Sequence, residues 1–288
     1  MCFALVFDIF FKYIYNKSMI DLHIHTKYSD GEYDEKEIIQ KVKDAGIDEF
    51  AICDHDTIEG SKRVFDELKK QNSNLKFHSG VELTSRVEGI FGGVNVHILV
   101  RDFDYDEAGI NALVEDIAEL RRKKIARMVN YIDNAYGIRF TDEEIEEVER
   151  TTKSVGKPHM YKLLCKYGNY DREKYYRTMD GLHTEDLRLD ALRVLELAHE
   201  GKGNVTLAHP IEIMREYKLG YEDIDKLVGY LKSFGLDGLE THNSSQTKED
   251  IKEYSKIAKK YSLFETWGSD YHGEHVKPDT FLGVCQKD

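Results

Sequence analysis

The chain has 288 residues, 41% of them hydrophobic and 33% charged, with only 3 Pro. That supports one large domain, or a domain carrying an insertion, and excludes collagen, low-complexity disorder and a disulfide-built miniprotein. A net charge of −13 repels phosphate backbones at long range and argues against broad duplex binding, while suiting a site that neutralises its own carboxylates with cations.

Residues 1–18 are apolar but interrupted by Asp8 and Lys12. They lack a basic start and a small-residue cleavage site, so they read as an N-terminal extension before Met19. From residue 20 short strands alternate with amphipathic helices. Ile20, Leu22 and Ile24 alternate with Asp21, His23 and His25, a period of two that predicts a strand. Asp34 followed by Glu37 is a capping-box start for a helix carrying Ile38, Ile39 and Val42 up to Gly46. Residues 50–53 read as a buried strand and 57–70 as a second helix with Thr57 at its N-cap. Strands are expected over 75–83 and 94–100.

Residues 106–200 then hold helical patterns without a convincing strand. Beyond them 205–208, 238–241 and 263–268 read as strands, separated by helices over 221–234 and 248–261. Alternating βα units argue for a parallel sheet. About seven of them in this length favour a closed α/β barrel, whose chemistry sits on the loops after the strands.

Residue types at those strand ends are strongly biased. The first strand ends in His23-Ile24-His25, followed by Asp30, and the second in Asp54-His55-Asp56. Glu82 lies on the third, His97 on the fourth, His209-Pro210 after the fifth, and Asp270-Tyr271-His272 after the last. Imidazoles mixed with carboxylates are ligands for zinc, manganese or iron. With 12 His in the chain, one H-x-H pair is unremarkable. On a strand, however, residues i and i+2 share a face, so His23 and His25 can reach one ion. Six His at or beside strand ends, each with a carboxylate nearby, point to a metal site.

The ordered segments DLHIHTKYSDG, AICDHDT, GVEL, VHIL, LAHP and GSDYHG resemble the motifs of the PHP (polymerase and histidinol phosphatase) phosphoesterases. The resemblance covers 19–102 and 187–288 and implies a distorted (β/α)7 TIM-like barrel, with residues 103–186 as a helical insertion capping the substrate. It implies two to three divalent ions, Mn2+ foremost, with Zn2+ or Fe2+ as alternatives. His23, His25, Glu82 and Asp270 would hold one ion, and Glu82, His97 and His209 a second, with Glu82 bridging. Asp30, His55 and His272 would hold the third. Asp54, Asp56 and Ser269 read as groups orienting the imidazoles. The implied reaction is hydrolysis of a phosphate ester by metal-activated water, with Glu82 and Asp270 as the catalytic carboxylates.

The branch with such an insertion includes nucleotide phosphatases and a 5′–3′ exoribonuclease. The expected partner is therefore a small phosphorylated substrate, a nucleoside monophosphate or 3′,5′-bisphosphate. Short RNA and histidinol phosphate are alternatives, and a non-catalytic metal-binding domain is a different class. Amidohydrolase-type chemistry would want a bridging Lys after an H-x-H, and none is suitably spaced. Gly156-Lys157-Pro158-His159 resembles the branch's basic-Pro-His motif, with Lys in place of the common Arg, so Lys157 and His159 are candidate substrate contacts. His242 is a third. The run Arg121-Arg122-Lys123-Lys124 reads as a solvated helix face that could touch a phosphorylated ligand. Four scattered Cys without C-x-x-C suggest a reducing compartment, and no apolar run approaches the roughly 20 residues that span a bilayer. A cytoplasmic protein with no membrane or stable protein partner is expected.

Overall fold

The computed structural model describes residues 19–151 and 155–285. The expected N-terminal extension, 1–18, lies outside them. In chain order the first sheet takes β1 (Met19–Ile24), β2 (Ile47–Ile52) and β3 (Lys76–His78), with α1 (Glu35–Asp44) and α2 (Glu59–Lys70) between them. Strand β4 (Gly80–Val87) and β5 (Val94–Arg101) follow, then α3 (Ala108–Tyr136), α4 (Asp142–Thr151), α5 (Lys157–Leu164) and α6 (Arg172–Met179). The chain continues through β6 (Leu189–Asp190), α7 (Ala191–Glu200), β7 (Asn204–Leu207), α8 (Pro210–Tyr217) and α9 (Tyr221–Ser233). It closes with β8 (Gly238–Asn243), α10 (Lys248–Lys260), β9 (Phe264–Gly268) and β10 (Val284–Cys285).

The fold is α/β with parallel pairing, and its strands form two sheets ordered β10-β1-β2-β3 and β6-β4-β5-β7-β8-β9. Isolated parallel bridges link them at Ile24–Tyr271 and His55–Glu82. The sequence pattern suggested strands mostly joined by helices in a parallel sheet, but β4 and β5 form an antiparallel hairpin from Gly80–Arg101 to Val87–Val94. Residues 88–93 are too few for a crossover helix, so the two strands can only turn back on each other. β5 then pairs antiparallel with β7.

The single strand expected over 75–83 is two, broken at Ser79, whose hydroxyl donates to the Phe103 carbonyl at 2.6 Å. A short strand, β6, also appears where only helix was expected. Helix α1 starts as anticipated, the Asp34 carboxylate accepting from the Lys36 and Glu37 N–H groups. Helix α2 starts at Glu59 with Ile58 at the cap, and Thr57 instead accepts the Glu59 N–H through its hydroxyl at 3.2 Å.

Burial follows the two sheets. Ile24, Ile38, Ile39, Val42, Phe50 and Ile52 pack the first sheet under α1 and α2. A larger core joins the second sheet to α7, α9 and the start of α3 through residues such as Val96, Ile98, Ile110, Leu113, Val194 and Leu227. The far half of α3 belongs to a third core with α5 and α6, around Met128, Ile132, Met160, Leu164 and Tyr175. Helix α3, about 43 Å long at 1.5 Å per residue, thus ties the helical segment to the sheet. Among the described residues, no helix is long and apolar enough to cross a membrane.

Where the chain passes from one sheet to the other, a Cβ on Gly80 would lie 2.5 Å from the Ile52 carbonyl oxygen and 2.8 Å from Cys53 Sγ. Neither atom can move freely. Gly80→Ala is therefore expected to lower stability by about 1–3 kcal/mol, read as a lower urea midpoint; an unchanged midpoint would contradict this packing.

Candidate metal centre

Eight of the nine candidate ligands stand on a strand or just after one, and Asp30 lies in the turn beyond β1. His23 is on β1 and His25 one residue past it; His55 follows β2, Glu82 is on β4, and His97 on β5. His209 follows β7, while Asp270 and His272 follow β9. Asp270 sits in the left-handed region at φ 57°, as does Asp56 at φ 52°. Such backbone is uncommon outside glycine and is tolerated best by Asp and Asn. The Asp270 N–H donates to the His23 carbonyl and the His25 N–H to that of Tyr271, both at 2.9 Å. These bonds hold the loop after β9 against the end of β1.

Glu82 is the hub. Its Oε2 lies 3.2 Å from His23 Nε2, 3.2 Å from His25 Nε2 and 3.0 Å from His55 Nδ1. Its Oε1 lies 2.9 Å from His97 Nδ1 and 2.8 Å from His209 Nε2. Asp270 Oδ1 lies 3.3 Å from His25 Nε2 and 3.7 Å from His23 Nε2. Asp30, the one exposed member, places Oδ1 3.3 Å from His272 Nε2 and Oδ2 3.8 Å from His55 Nε2. All nine candidate ligands meet in one place. Three sets have ligand atoms within 4.8 Å of one another: His23, His25, Glu82 and Asp270; His25, Asp30, His55 and His272; and His55, Glu82 and His97. His25 thus stands in two sets, and His55 joins Glu82 and His97 while His209 meets the same Glu82 oxygen.

The donor set fits divalent cations. Glu82 Oε2 is buried and touches three imidazole nitrogens, yet has no hydrogen bond of acceptable geometry; His25 Nδ1, His55 Nδ1 and His209 Nδ1 are likewise without one. A buried carboxylate oxygen without a donor is costly. His23 Nε2 and His25 Nε2, 3.1 Å apart, both face it. Cations among these atoms would satisfy Glu82 Oε2, His25 Nδ1 and His55 Nδ1, whereas His209 Nδ1 faces Glu212 Oε2 at 3.4 Å; mixed imidazole–carboxylate donors suit zinc, manganese or iron.

The electrostatics are those of a cluster awaiting positive charge. Burial raises the pKa of Glu82, but the imidazoles of His55, His23 and His97 outweigh it and hold the carboxyl well below its usual range. Asp270 is held down in the same way, chiefly by His25 against burial. Burial lowers His25, but hydrogen bonds to Asp270 and Glu82 lift it to about 10. His209, also lowered by burial, is lifted by Glu82 to about 9. Burial wins at His55, pushing it down to about 3.

Some groups act differently from the sequence reading. Asp54 accepts from the Thr26 N–H and hydroxyl and from the Ser29 hydroxyl, at 2.7, 2.6 and 2.7 Å, bracing the loop after β1. Asp56 accepts the Thr84 N–H, and the Ser269 hydroxyl the Tyr271 N–H. None of the three hydrogen-bonds an imidazole. Glu240 does: its Oε1 lies 3.0 Å from His23 Nδ1, while Oε2 accepts the His209 N–H at 2.8 Å. A carboxylate within the fully buried strand β8 was the available signal. Lys277 Nζ contacts Asp270 Oδ2, and nothing in its sequence surroundings marks it.

The substrate candidates have partners outside the nine ligands. Lys157 Nζ pairs with Asp180 at 3.3 Å, and His159 Nδ1 accepts the Gly156 N–H at 3.1 Å. His242 is buried, its Nδ1 2.9 Å from the Thr241 hydroxyl oxygen and its ring against Trp267. Of the basic run, Arg122 and Lys123 are exposed, whereas Arg121 and Lys124 turn inward.

A family model described as the PHP domain matches residues 21–264. The chain belongs to the PHP domain family. It is 25% identical over 257 residues to a 5′–3′ exoribonuclease of Haemophilus influenzae, covering 88% of this chain and 89% of that protein. It is 25% identical over 263 residues to a phosphoribosyl 1,2-cyclic phosphate 1,2-diphosphodiesterase of Eggerthella lenta, covering 88% and 94%. A 3′,5′-nucleoside bisphosphate phosphatase of Chromobacterium violaceum is 25% identical over 267 residues, with 88% and 87% covered. Among solved structures, a Bifidobacterium adolescentis protein assigned as a metal-dependent phosphoesterase superposes with a TM-score of 0.67 at 25% identity, covering 88% of this chain and 87% of that one. This PHP-domain chain is a metal-dependent phosphoesterase, a hydrolase.

Two outcomes follow. Imidazoles coordinate only when neutral, whereas His25 (about 10) and His209 (about 9) carry protons at pH 7 in the cation-free protein. Loading with Mn2+ should therefore release protons and weaken as pH falls. Calorimetry in buffers of different ionisation enthalpy reads this, and zero proton release would contradict it. Glu240→Gln should weaken Mn2+ binding by about 10–100-fold with an unchanged circular-dichroism spectrum; wild-type affinity would show that the His23–Glu240 contact does not orient the ring.

Proposed function

We propose that this PHP-domain enzyme hydrolyses a phosphate monoester of a small nucleotide, a nucleoside monophosphate or 3′,5′-bisphosphate, in a cytoplasmic setting. The observation carrying this reading is Glu82, a buried carboxylate facing five imidazoles and lacking hydrogen bonds at one oxygen. The ligand sets would be His23, His25, Glu82 and Asp270; Glu82, His97 and His209; and Asp30, His55 and His272. When bound, two or three divalent cations, Mn2+ first, supply Lewis acidity and a nucleophilic water near neutral pH.

The chain's own residues do the rest. Glu82 spans two ligand sets through its two oxygens, and Asp270, fixed by its loop, keeps a charged oxygen among His23 and His25. Glu240 holds the His23 ring, and Asp54 shapes the loop presenting Asp30. Two sheets linked edge to edge act as a distorted barrel delivering these side chains to one mouth. Residues 103–186 serve as a cap over it, with Lys157, His159 and His242 as candidate substrate contacts. His159 lies within electrostatic reach of Asp30, which supports a cap facing the cluster.

A 5′–3′ exonuclease acting on short RNA is the second reading, favoured by the name of the Haemophilus relative. Phosphate and nucleotide release with Mn2+ across nucleoside monophosphates, 3′,5′-bisphosphates, histidinol phosphate and short 5′-phosphorylated RNA separates the two. Fastest turnover of a mononucleotide is expected, mononucleotide release from RNA would move the assignment, and inertness on all four would favour a regulatory metal-binding domain. Glu82→Gln should reduce kcat/KM by about 100-fold or more while circular dichroism shows a retained fold; full activity would sink the bridging role.

A further inference from the structure

Residues 273–283 form a strap that joins β9 to β10 and is pinned to α1 and to the loop before it. Gly273 opens the strap at φ 109°, where a Cβ would lie 2.4 Å from Glu32 Cβ. His275 Nδ1 lies 2.7 Å from Glu32 Oε1, and Glu274 accepts from Lys41 Nζ at 2.8 Å and from the Tyr33 hydroxyl. The Lys277 N–H donates to the Gly273 carbonyl at 3.0 Å. Its own carbonyl accepts from buried Thr280, the N–H at 3.1 Å and the hydroxyl at 2.8 Å. Lys277 therefore stands on backbone held from both sides, the support that a side chain with one fixed position needs.

Its ammonium lies between two ligand loops. Lys277 Nζ contacts Asp270 Oδ2 and stands 3.8 Å from Glu212 Oε1 on α8. Glu212 Oε2 in turn lies 3.4 Å from His209 Nδ1, a buried nitrogen that makes no hydrogen bond. One ion pair outside the cluster thus spans two candidate ligands from separate strand ends, Asp270 after β9 and His209 after β7. Each ligand then has a single atom turned inward. Asp270 Oδ1 faces His23 and His25, and His209 Nε2 faces Glu82 Oε1. A neutral imidazole with its proton on Nδ1 offers the Nε2 lone pair, and a carboxylate at Nδ1 favours that tautomer. Both bridging side chains are over a third exposed, at 34% and 40%, so as an ion pair they add little to stability. Their alignment with two ligands is what sets them apart.

We propose that Lys277 and Glu212 are positioning residues, a bridge that sets which oxygen of Asp270 and which nitrogen of His209 are presented to divalent cations. The inference rests on the phosphoesterase reading above and deepens it. A lone ammonium beside a cation site would repel the incoming ion. Glu212 supplies the compensating charge, so the pair orients both ligands without adding net charge. The two sheets meet through other contacts, the bridges at Ile24–Tyr271 and His55–Glu82, so joining them is not the task of this pair.

The test uses the full chain with Mn2+ as the probe, read by calorimetry and so independent of turnover. Lys277→Met and Glu212→Gln should each weaken Mn2+ binding by about 10–100-fold, with an unchanged circular-dichroism spectrum and a urea midpoint close to wild type. Because the two act through one contact, their losses should not multiply. The double variant should bind within about threefold of the weaker single variant. Lys277→Arg keeps the charge and should recover most of the affinity lost in Lys277→Met. Wild-type affinity in either single variant, or losses that multiply in the double, would overturn the bridge. Tighter binding by Lys277→Met would overturn it too, by showing that the ammonium only repels cations. Should Lys277→Met fail to fold, Glu212→Gln decides by the same criterion. A wild type that binds no Mn2+ would sink the metal reading and this proposal with it, whereas a wild type that binds while the variants are indifferent would sink the bridge alone.

Discussion

One fully buried carboxylate sets the terms for the whole site. Glu82 presents Oε2 to His23, His25 and His55, and Oε1 to His97 and His209. Those five rings come from the ends of β1, β2 and β7 and from β5, so they can meet Glu82 only if both sheets are held in register. The bridge between His55 and Glu82 does that at one junction and the Ile24–Tyr271 bridge at the other. Burial alone would neutralise Glu82, and the surrounding imidazoles keep it ionised. The rings in turn divide according to their neighbours: His25 and His209 hold protons beside carboxylates, while His55 is stripped of its own by burial. A cluster this dense in opposed charge, with hydrogen bonds missing at its centre, is stable as a receptacle for cations rather than as a core.

The loops around it show what holding that register requires. Asp56 and Asp270 take left-handed backbone immediately beside His55 and Tyr271. Asp54 gathers Thr26 and Ser29, so the turn carrying Asp30 is braced from inside the protein. At the floor, Gly268 ends β9 where a Cβ would lie 2.3 Å from His23 Cβ and 2.5 Å from Glu240 Oε1. Only a residue without a side chain lets β9 pass beneath the His23–Glu240 pair.

Sequence carried much of this because two signals are local. The period-two run from Ile20 to His25 and the capping box at Asp34 need no tertiary information, and ligand types cluster where strands end. What escaped depends on contacts distant in the chain. The break at Ser79 comes from a carbonyl at Phe103, and the β4–β5 hairpin from a connection whose shortness outweighs the βα rhythm. Glu240 was passed over because its partner, His23, is 217 positions away. The basic run on α3 looked like a solvated face because sequence gives helix periodicity without saying which side meets the sheet. Two of its four cations face out, and two turn inward.

That division bears on how an acidic chain handles an anionic ligand. Net charge governs encounter at distances where salt leaves a field to feel, about 8 Å or more at physiological ionic strength. Inside the mouth, local charge decides. The cluster's charge is set by the protons on its imidazoles and by any cations it binds, so it varies with pH and metal supply. The inner face of α3 carries Arg121 and Lys124, whose pKa values burial pushes down. Helix α3, whose two halves belong to different hydrophobic cores, is held at both ends by packing, which fixes its inward cations against the second sheet.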